Sequence, residues 1–235
     1  MMDVLLLCAG FGTRMRQLTR DVPKPLLITR NERIIDRLIS QLETLDTVSN
    51  IYINVSYRAQ EFADWLISKE LNNNITFIWE HFPFGGLKTL QNFSEIAKHK
   101  CLVIHGDLYL APLLLAKFVT SCSQEDENYV GVHRRSAIGS RSNLIIDNKS
   151  LVLEFREGES SPLSQEVFSN SGIYLFSKKL ITEKVNEFCG NNIAAHLLPK
   201  LSEQRLLRAV EVQGFRYSLE TTDDIIRINS GEFTE

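Results

Sequence analysis

The stretch that most constrains this chain is its first. Val4-Leu5-Leu6-Leu7-Cys8 is an unbroken apolar run, followed at once by Ala9-Gly10-Phe11-Gly12. Such a run, bounded by glycine, predicts a strand buried on both faces. Gly10 and Gly12 then permit a tight turn and close approach of the backbone to a ligand. Arg14 follows, and after it Lys24 between Pro23 and Pro25. Two phosphate-binding patterns fail here. No Gly-Lys-Ser/Thr follows, as a P-loop requires, and Met15 stands where a dinucleotide-binding turn carries its third glycine. A crossover helix would also run into Pro23 and Pro25, which break helices. The turn is therefore expected to lead into a long irregular loop, and such loops after a buried strand are commonly functional.

With 235 residues, 43% of them hydrophobic and 23% charged, the chain can bury a full core. A net charge of −3 carries no nucleic-acid footprint. Arg14, Arg16, Arg20 and Lys24 nevertheless crowd the opening turn, which suits a local anion pocket. Cys8, Cys101, Cys122 and Cys189 stand far apart, with no CxxC and no histidine at ligand spacing. That spacing predicts reduced, mostly buried thiols and a cytoplasmic protein rather than a disulfide framework or a zinc site. Leu5-Leu6-Leu7-Cys8 superficially matches a lipoprotein processing box, but the apolar run is too short for a signal segment and lacks a basic leader. No run approaches the length of a membrane span.

Helical spacing of Ile34, Ile35, Leu38, Ile39, Leu42 and Leu45 predicts an amphipathic helix. Strands are expected at 51–55, 75–79 and 101–105, with helices at 60–67 and 87–97 between them. This alternation predicts an α/β fold, a three-layer Rossmann-like sheet that is mixed but mostly parallel. Ligands of such sheets bind beyond the carboxyl ends of the strands. The second half changes character, with strands at 129–133, 143–146, 151–155, 171–176, 206–212 and 215–219. The Asp147-Asn148-Lys149 turn predicts a hairpin. Helices are expected at 178–187 and 194–203, and Thr221 is expected to cap a closing helix. The expectation is a single domain, 1–235, with a first half (1–122) whose strand ends carry the candidate site and a hairpin-rich half (123–235) forming a lid over them.

Arg14 and Lys24 suit a polyphosphate, since both present several donors to anionic oxygens. Their alternative is a pair of solvated surface cations. Asp107, after a buried strand and Gly106, is placed to bind a magnesium ion, which needs one or two carboxylates and keeps several waters. Its alternative is a turn aspartate. The five histidines are scattered and are expected to be packed or solvated.

Leu7 to Met15, then Leu18-Thr19, then Pro23-Lys24-Pro25-Leu26-Leu27, resemble the signature of sugar-phosphate nucleotidylyltransferases. Gly106-Asp107 resembles the family's metal-binding "NGD", Asn170-Ser171-Gly172-Ile173-Tyr174 its "NAGIY" strand, and Phe215 to Ile225 its closing "DIGTPEDL" segment. In length the chain is similar to the short bacterial enzymes acting on N-acetylmuramate, mannose or heptose 1-phosphate. The resemblance implies transfer of a nucleotidyl group from a nucleoside triphosphate to a sugar 1-phosphate, with Mg2+ as cofactor, in a monomer or homodimer that needs neither nucleic acid nor membrane. It implies nucleotide contacts from Ala9, Gly10, Phe11, Gly12 and Thr13, with Gly85, Gly86 and Leu87 near the base. Arg14 and Lys24 would be catalytic, Asp107 would hold the metal, and Glu157, Asn170 and Gly172 would line the sugar pocket.

Three positions depart from the family pattern. Ser218 stands at the usual place of a second metal-binding aspartate, and Glu220, two residues on, is expected to replace it, directly or through water. Gly158 follows Glu157 where the family has the lysine of "EKP", and Gly86 replaces the threonine of "LGT". These departures favour, as the alternative, a catalytically impaired nucleotide or sugar-phosphate binding protein on the same fold. A nicotinamide-dependent oxidoreductase is disfavoured by Met15 and the proline-bracketed lysine.

Overall fold

The computed structural model describes residues 1–15, 18–69, 74–124, 126–135, 142–158 and 167–231, so Arg16 lies outside the described residues. In chain order the strands are β1 (Met2–Leu7), β2 (Ile28–Thr29), β3 (Glu32–Arg33), β4 (Val48–Val55), β5 (Ile75–Trp79), β6 (Lys100–His105), β7 (Leu108–Leu110), β8 (Asn128–Arg135), β9 (Ser142–Ile146), β10 (Val152–Glu157), β11 (Val167–Phe176), β12 (Leu207–Glu211) and β13 (Arg216–Ser218). The α-helices are α1 (Leu18–Asp21), α2 (Ile34–Glu43), α3 (Ala59–Ile67), α4 (Gly86–Ser94), α5 (Leu114–Ser121), α6 (Leu198–Glu203) and α7 (Thr222–Asn229). The chain is therefore mixed α/β, as the alternation of its apolar periods predicts.

Two compact units divide it: Met1–Pro83 with Ile104–Ala116 and Gly214–Glu235, and Phe84–Val103 with Lys117–Gln213. In the first unit β1, β4 and β5 pair in parallel, with Leu5 opposite Tyr52 and Ile51 opposite Ile75. β1 is buried from Met2 to Leu6, which is why it reads as a continuous rather than an alternating apolar run. α2 buries Ile34, Ile35, Leu38, Ile39 and Leu42 along one stripe. On α3, Phe62 and Trp65 are buried, and the Trp65 indole Nε1 donates to Asp36 Oδ1 at 2.7 Å.

β7 and β13 form a separate antiparallel pair with Ser218 opposite Leu108. The Tyr109 ring stacks on Phe215 at 5.7 Å, and the Arg37 guanidinium lies 4.5 Å above Tyr109 while its Nε donates to the Leu110 carbonyl at 2.7 Å. Thr221 begins α7 in a capping box with Asp224, as expected from the sequence.

In the second unit β8 pairs antiparallel with β11 and parallel with β12, and β10 and β9 form the expected hairpin. Its turn is held by Asp147, whose Oδ1 accepts from the backbone of Lys149 and Leu151, both at 2.8 Å. α4 buries Leu87, Leu90 and Phe93, and Gln91 Nε2 donates to the carbonyls of Val185 and Phe188.

Some elements differ from the sequence reading. The loop after Gly12 is not wholly irregular: it carries single helical turns at Thr13–Met15 and Lys24–Leu26, with α1 between them. The β2–β3 pair, β7 and α5 are additional. The helix expected over 178–187 is two helical pieces, Leu180–Lys184 and Val185–Glu187. Cys8, Cys101 and Cys122 are buried free thiols and Cys189 is an exposed one. Among the described residues no helix is long and apolar enough to cross a membrane.

Candidate active site

The first unit brings together the opening turn, the proline-bracketed lysine, Asp107 and the segment after β13. The turn is fixed from below by a residue in the middle of an apolar strand. Asn54, on β4, accepts from the Cys8 N–H at 2.6 Å and the Ala9 N–H at 3.3 Å through Oδ1, and its Nδ2 donates to Glu80 Oε1 at 3.1 Å. Asn54 and Glu80 are both buried. The Ala9 N–H is thus engaged within the protein, whereas Gly10 has open space around it and Phe11 is 52% exposed. Gly12 has φ +62°, and a side chain there would press on Thr19, whose Oγ1 donates back to the Gly12 carbonyl at 2.9 Å. Thr13 is exposed at the start of the next helical turn.

Met15, which breaks the dinucleotide pattern, anchors that turn. It is buried in a cluster with Leu27, Ile34, Tyr109, Leu219 and Ile228. Burying Met15 beside Leu219 carries its neighbour Arg14 to the neighbour of Leu219. Arg14 Nη1 pairs with Glu220 Oε2 at 2.8 Å, with the two side chains 59% and 31% exposed. The Glu220 N–H is itself held by Asp224 Oδ2 at 2.8 Å, ahead of the α7 cap.

Lys24 opens a helical turn closed by Leu26 N–H to the Pro23 carbonyl and Leu27 N–H to the Lys24 carbonyl. Its Nζ donates to Asp107 Oδ2 at 3.0 Å, and these side chains are 15% and 25% exposed. The Asp107 backbone is pinned on both sides. The Gly106 N–H donates to the Leu7 carbonyl at 3.0 Å, and the Leu219 N–H donates to the Asp107 carbonyl at 3.0 Å. Burial pushes the Asp107 carboxyl up, but Lys24, His105 and Arg216 outweigh it and hold it below the ordinary carboxylate range. Burial drives His105 the other way, below the usual imidazole value. Burial, and then the Asp107 charge, raise the Cys8 thiol, which makes it an inert core group.

Asp107 Oδ1 is buried and has no hydrogen-bond partner among the described residues. An orphaned carboxylate oxygen just beyond the end of a buried strand fits a hard cation, which oxygen ligands suit. Among the described residues no three His, Cys, Asp or Glu side chains converge on one point. An ion here would take one or two carboxylates and complete its shell from water and phosphate, as magnesium does.

Gly106 is placed by close packing. A Cβ there would collide with Cys8 Sγ and come within 3.0 Å of the Leu7 carbonyl and 3.4 Å of Pro25 Cγ. Gly106→Ala is expected to destabilise the protein by about 1–3 kcal/mol through overpacking. Thermal unfolding checks this, and adding Cys8→Ala should restore part of the loss.

The other candidates lie in the second unit. Gly85 has φ +91°, its missing Cβ leaves room for the Asn191 carbonyl, and Leu87 N–H donates to that same carbonyl at 3.0 Å. Gly86 begins α4, and Leu87 is a core residue. Asn170 spends both ends of its amide inside β11, donating to Tyr174 Oη at 2.8 Å and accepting from the Gly172 N–H at 2.9 Å. Gly172, at φ +72°, lies in the register break of β11 against β8. Glu157 ends β10, exposed and opposite Ser142.

Residues 3–209 match the family described as Nucleotidyl transferase. The chain is similar to the bifunctional protein GlmU of Methanocaldococcus jannaschii, 25% identical over 97% of this chain and 53% of that one. It is also similar to a putative mannose-1-phosphate guanyltransferase of Sulfolobus acidocaldarius, 26% identical over 97% of this chain and 62% of that one. It thus spans between about half and two thirds of those relatives' lengths. Among solved structures, HddC from Yersinia pseudotuberculosis complexed with GMP-PN superposes with a TM-score of 0.76, at 25% identity, covering 98% of this chain and 99% of the other.

Proposed function

Because the chain belongs to the nucleotidyl transferase family, we propose that it moves a nucleotidyl group from a nucleoside triphosphate to a sugar 1-phosphate. A phosphate oxygen of the sugar 1-phosphate attacks the α-phosphorus, the bond from that phosphorus to the β-phosphate bridging oxygen breaks, and pyrophosphate leaves. The supporting observation is the convergence in one unit of an open glycine turn, two cations and a carboxylate with an unpartnered oxygen. Such transfers rest on alignment and on charge neutralisation rather than on proton chemistry.

In this reading the Gly10 to Thr13 backbone receives the nucleotide, while the N–H groups of Cys8 and Ala9, bound to Asn54, keep the turn in shape. Arg14 holds the leaving pyrophosphate and Lys24 the α-phosphate or the incoming phosphate. Asp107, with Glu220 as the second carboxylate in place of Ser218, would hold Mg2+, which when bound neutralises charge on the phosphates. In the second unit Glu157, Asn170 and Gly172 are the candidates for sugar contact, the last two also fixing the irregular part of β11, and Gly85 to Leu87 are assigned to the base. The Sulfolobus relative's name and the ligand of the Yersinia structure favour guanine in the donor. The reaction belongs in the cytoplasm, where triphosphates and sugar phosphates occur together.

The test is pyrophosphate release from Mg2+, each common nucleoside triphosphate and a panel of sugar 1-phosphates. Turnover with GTP and one sugar phosphate is the expected result. Nucleotide binding without turnover in any pair would instead favour the impaired binding protein.

A further inference from the structure

Both cations needed for the proposed reaction are already held by carboxylates: Lys24 by Asp107 and Arg14 by Glu220. The two pairs are unequal. Arg14 is 59% exposed, so its pair is screened by water and salt and exchanges readily. Lys24 is 15% exposed and Asp107 25%. Of the Asp107 oxygens, Oδ2 takes Lys24 and Oδ1 takes nothing among the described residues. A half-satisfied, largely desolvated carboxylate holds its one cation hard, because the lost water is not replaced on the other oxygen. The Asp107 backbone is hydrogen-bonded to β1 through Gly106 and to Leu219. The base of the side chain is thereby held in place beside Lys24.

We infer that Asp107 discriminates between two forms of a triphosphate. By holding Lys24 it denies that cation to a triphosphate arriving without a divalent ion, and it yields Lys24 once its own charge is met by such an ion. The inference rests on Lys24 being a phosphate-binding group, as proposed above. It makes Asp107 a specificity-determining residue as well as an ion ligand. The predicted consequence is that removing the carboxylate tightens binding of metal-free phosphate, and that this gain passes through Lys24.

Inorganic tripolyphosphate, which has no base to confuse the reading, is titrated calorimetrically in EDTA into four proteins. These are the unsubstituted chain, Asp107→Asn, Lys24→Met and the double variant. Asp107→Asn is expected to bind about tenfold more tightly than the unsubstituted chain, on the scale of one charge-assisted hydrogen bond. In the Lys24→Met background the same change should alter affinity less than about threefold. No gain in the first case, or an equal gain in both, overturns the inference, since an equal gain is bare repulsion relieved.

A second measurement does not depend on Asp107→Asn folding. Mn2+ titrated into nucleotide-free Lys24→Met should bind about tenfold more tightly than to the unsubstituted chain, and equal or weaker binding overturns the inference. If the unsubstituted chain fails to bind tripolyphosphate even with Mg2+, the phosphate site itself falls. If it binds with Mg2+ while the cycle is flat, the discriminating role alone falls.

Discussion

Asp107→Ala is expected to lower kcat/KM for pyrophosphate release by about a thousandfold or more while leaving the fold intact. The expected size follows from losing the carboxylate that would hold a divalent cation against the phosphates in a partly dry site, where single electrostatic groups are worth about two to three orders of magnitude. Structural damage should be small, because what the backbone needs at this position does not involve the carboxylate. The Gly106 N–H and the Asp107 carbonyl bond to Leu7 and Leu219 through the main chain. Lys24, 15% exposed, loses its partner, and that is the structural cost the variant carries. The measurement is steady-state turnover with excess Mg2+, alongside a thermal melt. A variant that keeps full activity removes Asp107 from the ion site. One that loses activity together with more than a few degrees of melting temperature would be a folding defect instead.

Much of this site could be read in the sequence because its cations and its carboxylate sit where composition changes abruptly. Arg14 and Lys24 follow a buried strand and stand beside glycine and proline, and Asp107 follows Cys101 to His105. Strand ends in an α/β sheet are where chemistry is sought, so these residues were visible one by one. Their pairing was not. Nothing in the spacing says that Lys24 meets Asp107, 83 residues on, or that Arg14 meets Glu220 rather than solvent. Met15 shows the same limit from the other side. In the sequence it is a mismatch to a glycine motif, while in the fold it is a buried anchor whose packing against Leu219 brings the second pair together.

The fold shows a parallel division. Helices with a strong apolar stripe, such as α2, were legible because one period dominates, and β1 because its short apolar run ends at a glycine turn. The β2–β3 hairpin was not, since its turn places Arg30 and Asn31 at φ +47° and +71° without the glycine that normally marks such a turn. α5 and β7 were hidden because Leu108 to Phe118 is apolar nearly throughout, and a continuous apolar run carries no period to tell strand from helix. The resemblance sends Asn170 to the sugar pocket, and within β11 its amide also holds a break in register, which nothing in the spacing announces.

Asn54 was overlooked for the most instructive reason, since it sits inside a strand rather than after it. An asparagine in the run Ile51-Tyr52-Ile53-Asn54-Val55 breaks the apolar pattern at a fully buried position, and a buried polar side chain must be explained by its partners. Here they are the N–H groups of Cys8 and Ala9 and the carboxylate of Glu80. Asn54→Leu, with the same branching and a larger side chain, removes these three bonds at once. It strands two backbone donors at the base of the glycine turn and takes an amide donor from Glu80, which is 2% exposed. Each unsatisfied buried group costs about 1–3 kcal/mol, so the variant should lose about 2–4 kcal/mol, allowing for partial relaxation. For a domain of this size that corresponds to a melting temperature lower by about 5–15 °C. Because the stranded donors belong to the turn, nucleotide affinity should fall further than global stability alone explains, even at temperatures where the variant is folded. Asn54→Asp separates the two jobs. It keeps an acceptor for Cys8 and Ala9 but sets a second carboxylate against Glu80. Two carboxylates so close raise the proton affinity of one above its unfolded value, so stability is retained at low pH and lost as pH rises. Melts of both variants between pH 5 and 8 check the argument: Asn54→Leu should keep a deficit at every pH, since the stranded N–H donors do not titrate, and Asn54→Asp should show one that shrinks more steeply as the pH falls. A melt of Asn54→Leu that coincides with that of the unsubstituted chain would mean that the turn is held from elsewhere.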